Sequence, residues 1–206
     1  MDELDGLTRV TRSLVRPAVA TLSDAFMDYP VAVFFMPDEK IRKKRQPAIY
    51  RLVVGSAIAY GEVYITSPQA EGTAVWQMVD KRQPAPKRGS SLGWWWQNLF
   101  TDKETGRRQQ AFMEYSNEIR ARLMPDRYWY LQMLGVAPAF QGQGYSSRLL
   151  TPMLARADRE GLPVFLETQL KKNVTLYEHF GFKLMEEGTI TGSDVYSWAM
   201  VREPQK

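Results

Sequence analysis

Two glycines, Gly142 and Gly144, stand where an apolar strand runs into an amphipathic helix, within the stretch from Leu134 to Leu150. A short loop in that position leaves several backbone N–H groups unpaired. It aims them at one point, where the positive end of the helix dipole also lies, and such a point binds phosphate. A Cβ at Gly142 or Gly144 would crowd a bound pyrophosphate. No Gly-Lys-Ser/Thr follows, so this is not the lysine-bearing loop of nucleotide hydrolases. A dinucleotide fold needs Gly-x-Gly-x-x-Gly, and Gly142-Gln143-Gly144-Tyr145-Ser146-Ser147 lacks the third glycine.

The order Gln141-x-x-Gly144-x-Ser146, preceded by Val136-x-Pro138, resembles the acetyl-CoA signature of the GNAT superfamily of N-acetyltransferases. That signature reads Gln/Arg-x-x-Gly-x-Gly/Ala; Ser146 departs from it but is small enough to let the loop close. A second segment carries the same resemblance. Beyond the apolar run Pro163 to Thr168 comes Asn173-x-x-x-Tyr177-x-x-x-Gly181-Phe182, the superfamily's other hallmark. Residues 128–203 resemble the puromycin N-acetyltransferase branch in particular. They share its Trp129-Tyr130-Leu131 strand, its Leu166-Glu167-Thr168 strand end and its Asn/Tyr helix; before residue 128 the resemblance is general. It implies an acetyl-CoA-dependent N-acetyltransferase that works by direct attack in a ternary complex and releases coenzyme A. The cofactor would be held by Leu134, Gly135, Val136, Gln141, Gly142, Gln143, Gly144, Tyr145, Ser146, Ser147, Asn173 and Tyr177. The backbone of Leu134 and Val136 would pair with the pantetheine amides as an added strand does, and an N–H near Leu134 would serve the oxyanion.

Acyl transfer from a thioester to an amine sets the roles to be filled. The amine must be neutral, although a primary amine resembles Lys, with a pKa of about 10.4. The carbonyl oxygen needs a donor as charge builds on it. The departing thiolate, its thiol resembling Cys at about 8.5, benefits from a proton or a hydrogen bond. Tyr177 is the candidate acid, since a phenol with an ordinary pKa of about 10 stays protonated at neutral pH. Spacing alone also allows it simply to pack, because it shares a helical face with Asn173 and Phe180. Asn173 reads as the helix N-cap. Glu167 is the candidate general base, acting through water, and is equally readable as a buried structural acid. Glu114 and Glu118 read as solvated, and His179, the one histidine, as a surface residue. No cluster has metal-ligand spacing, so no metal is expected.

The elements that must position these groups follow from periodicity. Leu7 to Arg12 alternates as a strand, residues 15–28 are helical with Pro17 early, and residues 39–60 form a second helix that stops at Gly61. Its buried face is expected to carry Ile49, Leu52, Val53 and Ala57. Glu62 to Ser67 and Thr73 to Val79 read as an antiparallel pair. Arg127 to Val136 is a strand, and Tyr145, Leu149, Leu150, Met153, Leu154 and Ala157 mark a helix closed by Gly161. Phe165 to Thr168 is a short buried strand; Phe182 to Thr189 and Val195 to Val201 close the chain. The fold class expected is α/β (α+β): a mixed, mostly antiparallel twisted sheet of GNAT type, with splayed parallel central strands and helices on both faces. Residues 1–206 are expected to form a single domain.

Residues 81–126 are long for a loop and read as an insertion. It holds Trp94, Trp95 and Trp96, then a polar helix from about Thr105 to Leu123. Neighbouring positions on a helix point about 100° apart, so three successive tryptophans cannot share one face. Either they pack with one ring exposed, or the segment is a lid whose aromatic walls bind the acceptor.

Composition sets limits. The chain has 206 residues, 44% of them hydrophobic, which suits one domain with a full core. With no cysteine, disulfides, thiol catalysis and Cys-based zinc sites are excluded. No charged leader with a long apolar run and no stretch of about 18 apolar residues appears, so no membrane association and a cytoplasmic location are expected. The formal net charge of +4 comes partly from Lys40 to Arg45, which reads as a solvated helix face rather than a nucleic-acid site. The partner expected is a small-molecule primary amine, with the chain a monomer or homodimer. Two other readings remain open: a non-catalytic acyl-CoA sensor, and a protein or peptide N-acetyltransferase, which would need an open groove.

Overall fold

Seven strands build one sheet, in the order β1-β2-β3-β4-β5-β7-β6. The computed structural model describes residue 4, residues 6–83 and residues 102–205. The strands are β1 (Thr8–Arg9), β2 (Glu62–Ile65), β3 (Gly72–Asp80), β4 (Arg127–Val136), β5 (Val164–Thr168), β6 (Lys183–Thr189) and β7 (Tyr196–Arg202). All neighbours are antiparallel except β4 and β5. The expected mixed sheet is therefore present, with helices on both faces.

The helices are α1 (Val15–Ala25), α2 (Pro30–Phe35), α3 (Glu39–Tyr60), α4 (Lys103–Leu123), α5 (Tyr145–Glu160) and α6 (Lys171–His179). Side chains of successive strand residues point to opposite faces, and the core divides accordingly. On one face Leu149, Leu150, Met153, Leu154 and Ala157 of α5 pack with Trp76, Trp129, Leu131 and Leu166. On the other, α1 and α3 cover Val63, Ile65 and Val75, while Ile119 of α4 packs with Tyr130 and Phe165.

The elements depart from expectation in a few places. The first strand is only Thr8–Arg9, followed by a 3-10 turn at Arg12–Leu14 that delivers the chain into α1. The helix predicted over 15–28 ends at Ala25, and a separate short helix, α2, begins at Pro30. Proline has no N–H to lose at that first position. The buried row of α3 is Arg42, Gln46, Tyr50, Val54 and Ala57, offset from the predicted Ile49, Leu52 and Val53. Arg42 is thus not part of a solvated face. Its guanidinium donates to the carbonyls of Met27, Met36 and Pro37 and to Asp28, tying down both ends of the segment around α2.

Candidate active site

The parallel pairing between β4 and β5 runs only from Trp129↔Val164 to Leu131↔Leu166. Beyond it each strand keeps its outer partner: β4 continues against β3 to Val136↔Gly72, and β5 against β7 to Thr168↔Trp198. The opening coincides with a bulge, since Val75 pairs with Met133 and Trp76 with Leu131, leaving Gln132 unopposed. A bulge sharpens the local twist and turns β4 away from its neighbour. Ala137 donates its N–H to Glu71 on the β3 side. Strand alternation then places the backbone groups of Leu134 and Val136 on the open edge.

One cleft of about 390 Å³ lies along that edge. Leu134, Gly135, Val136, Gln141, Gly142, Gly144, Tyr145, Ser146, Ser147, Asn173 and Tyr177 all line it. Gln143 does not; it is exposed and donates to the Ala139 carbonyl, 3.1 Å away. Gln141 donates across the mouth of the loop to the Val136 carbonyl at 3.1 Å. Gly142 and Gly144 have φ of 76° and 81°, the left-handed region where L side chains are strained, and an added Cβ at either would meet open space. Gly144 caps α5 with no side-chain hydrogen bond, and the helical ladder begins only with Arg148 donating to its carbonyl. The N–H groups of the first turn are therefore uncommitted within the helix, which fits an anionic pyrophosphate.

A second cavity of about 230 Å³ adjoins the first, and Phe26, Tyr29, Leu134, Asn173 and Tyr177 line both. Tyr177 reaches this waist from α6 on one face of the sheet. Glu167 borders the second cavity from the opposite face, where Ser116 of α4 donates to its Oε1 at 2.5 Å. Its other oxygen, Oε2, is buried without a partner among the described residues. Burial raises the Glu167 carboxyl above the ordinary carboxylate range, opposed by the Ser116 hydrogen bond and the Arg120 charge. Arg120 itself stacks over Tyr130, 4.4 Å from the ring centre. Burial also pushes the Tyr177 phenol up, with a smaller push from Tyr29.

Asn173 is not the N-cap of its helix. The helix starts two residues earlier, at Lys171, with Leu170 in the capping position. Asn173 instead donates through Nδ2 to Thr168 Oγ1 at 3.1 Å, and Tyr29 Oη lies 3.0 Å from the same oxygen. Tyr29 Oη also accepts from the Gln169 N–H. This polar knot lies at the end of β5, where Tyr29 and Asn173 line both cavities, and Tyr29 was not singled out from sequence. Gln46, Tyr50, Ser116 and Thr168 were also missed. The spacing of Gln46 and Tyr50, one helical turn apart on a row with Arg42 and Val54, was the signal available.

The remaining candidates fall elsewhere. Glu114 and Glu118 are exposed on α4. His179 is exposed and borders a shallow depression with Gly181 and Arg202, behind α6 from the cleft. Trp94, Trp95 and Trp96 lie outside the described residues, but Gln109 and Phe112 of α4 do line the second cavity. Among the described residues no group of acidic, histidine or cysteine side chains has the geometry of a metal site, and no helix is long and apolar enough to cross a membrane.

Residues 75–182 match the family described as acetyltransferase (GNAT). An uncharacterized N-acetyltransferase of Schizosaccharomyces pombe is 31% identical over 96% of this chain and 83% of its own. The fold is shared with a Corynebacterium glutamicum protein described as histone acetyltransferase HPA2 and related acetyltransferase, with a TM-score of 0.66 and 20% identity over 97% and 96% of the chains. It is also shared with arylalkylamine N-acetyltransferase 2 of Aedes aegypti, with a TM-score of 0.68 and 12% identity over 97% and 98%.

Proposed function

The chain belongs to the acetyltransferase (GNAT) family and is an N-acetyltransferase; on that premise we propose that it transfers an acetyl group from acetyl-CoA to a primary amine of a small molecule, by direct attack within a ternary complex. The observation that carries this reading is the pair of cavities meeting at Tyr177: a glycine-rich, anion-ready cleft on one side and a largely apolar chamber lined by one buried carboxylate on the other. Resemblance of residues 128–203 to the puromycin branch supports a small-molecule acceptor without naming puromycin as that acceptor.

Acetyl-CoA, when bound, supplies an acetyl thioester whose C–S bond is exchanged for an N–C bond to the amine. Gly142 and Gly144, with the N–H groups of Tyr145, Ser146 and Ser147, hold its pyrophosphate. Leu134 and Val136 offer their open-edge backbone to its amides, and Asn173, anchored through Nδ2 to Thr168, lines the cleft beside them. Glu167 takes the proton that the amine must lose, directly or through one water. Its desolvated carboxylate is a stronger base than an exposed one, and so better matched to an amine. Tyr177 keeps its proton at Oη and donates it as a hydrogen bond toward the departing sulfur. With a raised pKa it is a poor donor of a whole proton, so a hydrogen bond that strengthens as charge develops is the role its burial supports. From the inserted segment, α4 contributes Phe112 and Gln109 to the wall of the acceptor chamber.

Incubation with acetyl-CoA and a broad panel of amines, followed by detection of released thiol, tests this reading. Thiol release above the amine-free control with at least one small amine is expected; none with any amine would overturn it.

A further inference from the structure

Resting on the assignment of the 230 Å³ chamber as the acceptor site, we infer that its substrate is a compact arylalkylamine bearing one cationic nitrogen, one aromatic body and a second hydrogen-bond donor, an O–H or N–H, apart from the reacting nitrogen.

The charge count comes first. Among the described residues that line the chamber, Glu167 is the one carboxylate, and no Lys, Arg or Asp accompanies it. A diamine or amino sugar would bring further ammonium groups into a space that holds no anion for them, each losing its water without compensation. The walls set the body of the ligand. Phe26, Phe35, Tyr50, Phe112 and Tyr130 surround the space, with Phe35 and Phe112 packed edge to face at 5.7 Å. A ring entering among them gains the same edge and offset contacts. The volume lies below the roughly 300–1,000 Å³ typical of drug-sized sites, which suits one ring system on a short chain.

Gln46 identifies the second donor. It lines the chamber, is 1% exposed, and spends its Nε2 on the Phe26 carbonyl at 3.1 Å and Tyr50 Oη at 2.7 Å. A backbone carbonyl only accepts, so the atom facing Phe26 must be the amide nitrogen and the orientation is fixed. The amide oxygen, Oε1, is then left buried without a partner among the described residues. Native proteins rarely leave such an acceptor unpaired, and a phenolic O–H or indole N–H of the ligand would satisfy it. Glu167 Oε2 is the chamber's other unpartnered acceptor and stands on a different element, so the two acceptors call for separate donors.

The test compares phenethylamine, tyramine, the meta isomer of tyramine and 1,5-diaminopentane, by initial rates at saturating acetyl-CoA and by calorimetric titration of each amine into the protein alone. The better hydroxylated isomer should exceed phenethylamine about tenfold in kcat/KM and bind correspondingly tighter, as one buried hydrogen bond allows. The diamine should fall at least tenfold below phenethylamine. Gln46→Leu should bring the ratio of hydroxylated to plain amine to about one; the wild-type comparison stands even if this variant does not fold. Equal rates and affinities for the hydroxylated and plain amines would overturn the inference, as would a preference for the diamine. If other amines are acetylated and none of the arylalkylamines is, this inference fails while the acetyltransferase reading survives. If no amine of any class is acetylated, both fail.

Discussion

Leu131 and Leu166 are the last parallel partners of β4 and β5, and Glu167 stands one residue beyond them, still paired with Ala199 on β7 but facing a gap toward β4. The same strand end is thus rigid on one side and open on the other. Rigidity on the β7 side holds the carboxylate in place, and openness on the β4 side lets groups from both faces of the sheet meet. Tyr177 comes from the α6 face and Glu167 from the α4 face, and they border one chamber because the sheet parts between them.

Gly144→Asp should abolish acetyl-CoA binding while the protein stays folded. Asp is a favoured N-cap and, with Asn, tolerates the left-handed region better than other side chains, so α5 should still form. Its carboxylate would nevertheless occupy the space proposed for a pyrophosphate and repel it. Calorimetry should show at least a hundredfold weaker affinity; a folded variant binding as the parent does would dismiss the phosphate-loop assignment.

Glu167→Gln should lower kcat/KM by ~10²–10⁴, the usual contribution of a general base. It should also make the protein more stable at neutral pH. The folded-state pKa of Glu167 is raised, so the native chain holds a proton that the unfolded chain has lost, and stability falls as pH climbs from the ordinary carboxylate value through the raised one. Glutamine keeps the acceptor for Ser116 without that cost. Melting curves should show the variant ahead of the parent at neutral pH, with the gap closing in acid. A variant less stable at every pH would mean that the carboxylate is a structural anion. In the parent, the acid limb of kcat/KM should lie above the ordinary range for glutamate.

Arg42→Leu should destabilise the fold by about 3 kcal/mol, since a charged donor is withdrawn from the carbonyls of Met27, Met36 and Pro37 at once. For a chain of this size that corresponds to a fall in Tm of roughly 6–12 °C. Tyr29, Ala32 and Met36 lie within or beside the segment so released and line the 230 Å³ chamber proposed for the acceptor. KM for the amine should therefore rise more than KM for acetyl-CoA. An equal rise in both would place the effect in general loosening.

The cleft proposed for the cofactor was the more legible half of the candidate site in the sequence because its parts are local. The loop at Gly142 and Gly144 and the segment from Asn173 to Tyr177 each fit within a few residues, so each shows as a short motif, and the family resemblance of the two motifs gives them their roles. The acceptor half is assembled from afar. Ser116, which holds Glu167, is 51 positions from it, and Tyr29 meets Thr168 across 139. No periodicity reports such meetings, and the helix at Pro30 that brings Tyr29 there is too short to show one. The N-cap expected at Asn173 failed for a related reason. Thr168 Oγ1 lies 3.4 Å from the Leu170 N–H and accepts from Asn173, drawing the asparagine inward and starting the helix early. On α3, a pattern read only for apolar residues passed over Arg42, Gln46 and Tyr50, whose burial is sustained by hydrogen bonds rather than by hydrophobicity.

Tyr177→Phe removes one oxygen and keeps the ring that packs against Phe182 at 5.8 Å, so the fold should change little. The phenol is buried, with its pKa raised, and its proton is retained well above the ordinary phenol range. If Oη serves the leaving sulfur, kcat should fall by ~10²–10⁴ while acetyl-CoA affinity stays nearly constant, because the interaction strengthens only as charge develops. Water entering from the cleft would stand in for part of the loss and bring the fall toward the lower figure. The parent should show no alkaline loss of kcat near pH ~10, where an unperturbed phenol would ionise. A parent that loses activity at that pH would mean the phenol is not held in its protonated form. A Phe variant that turns over at the parent rate would reduce Tyr177 to a packing residue and leave the departing thiolate without a donor from this chain.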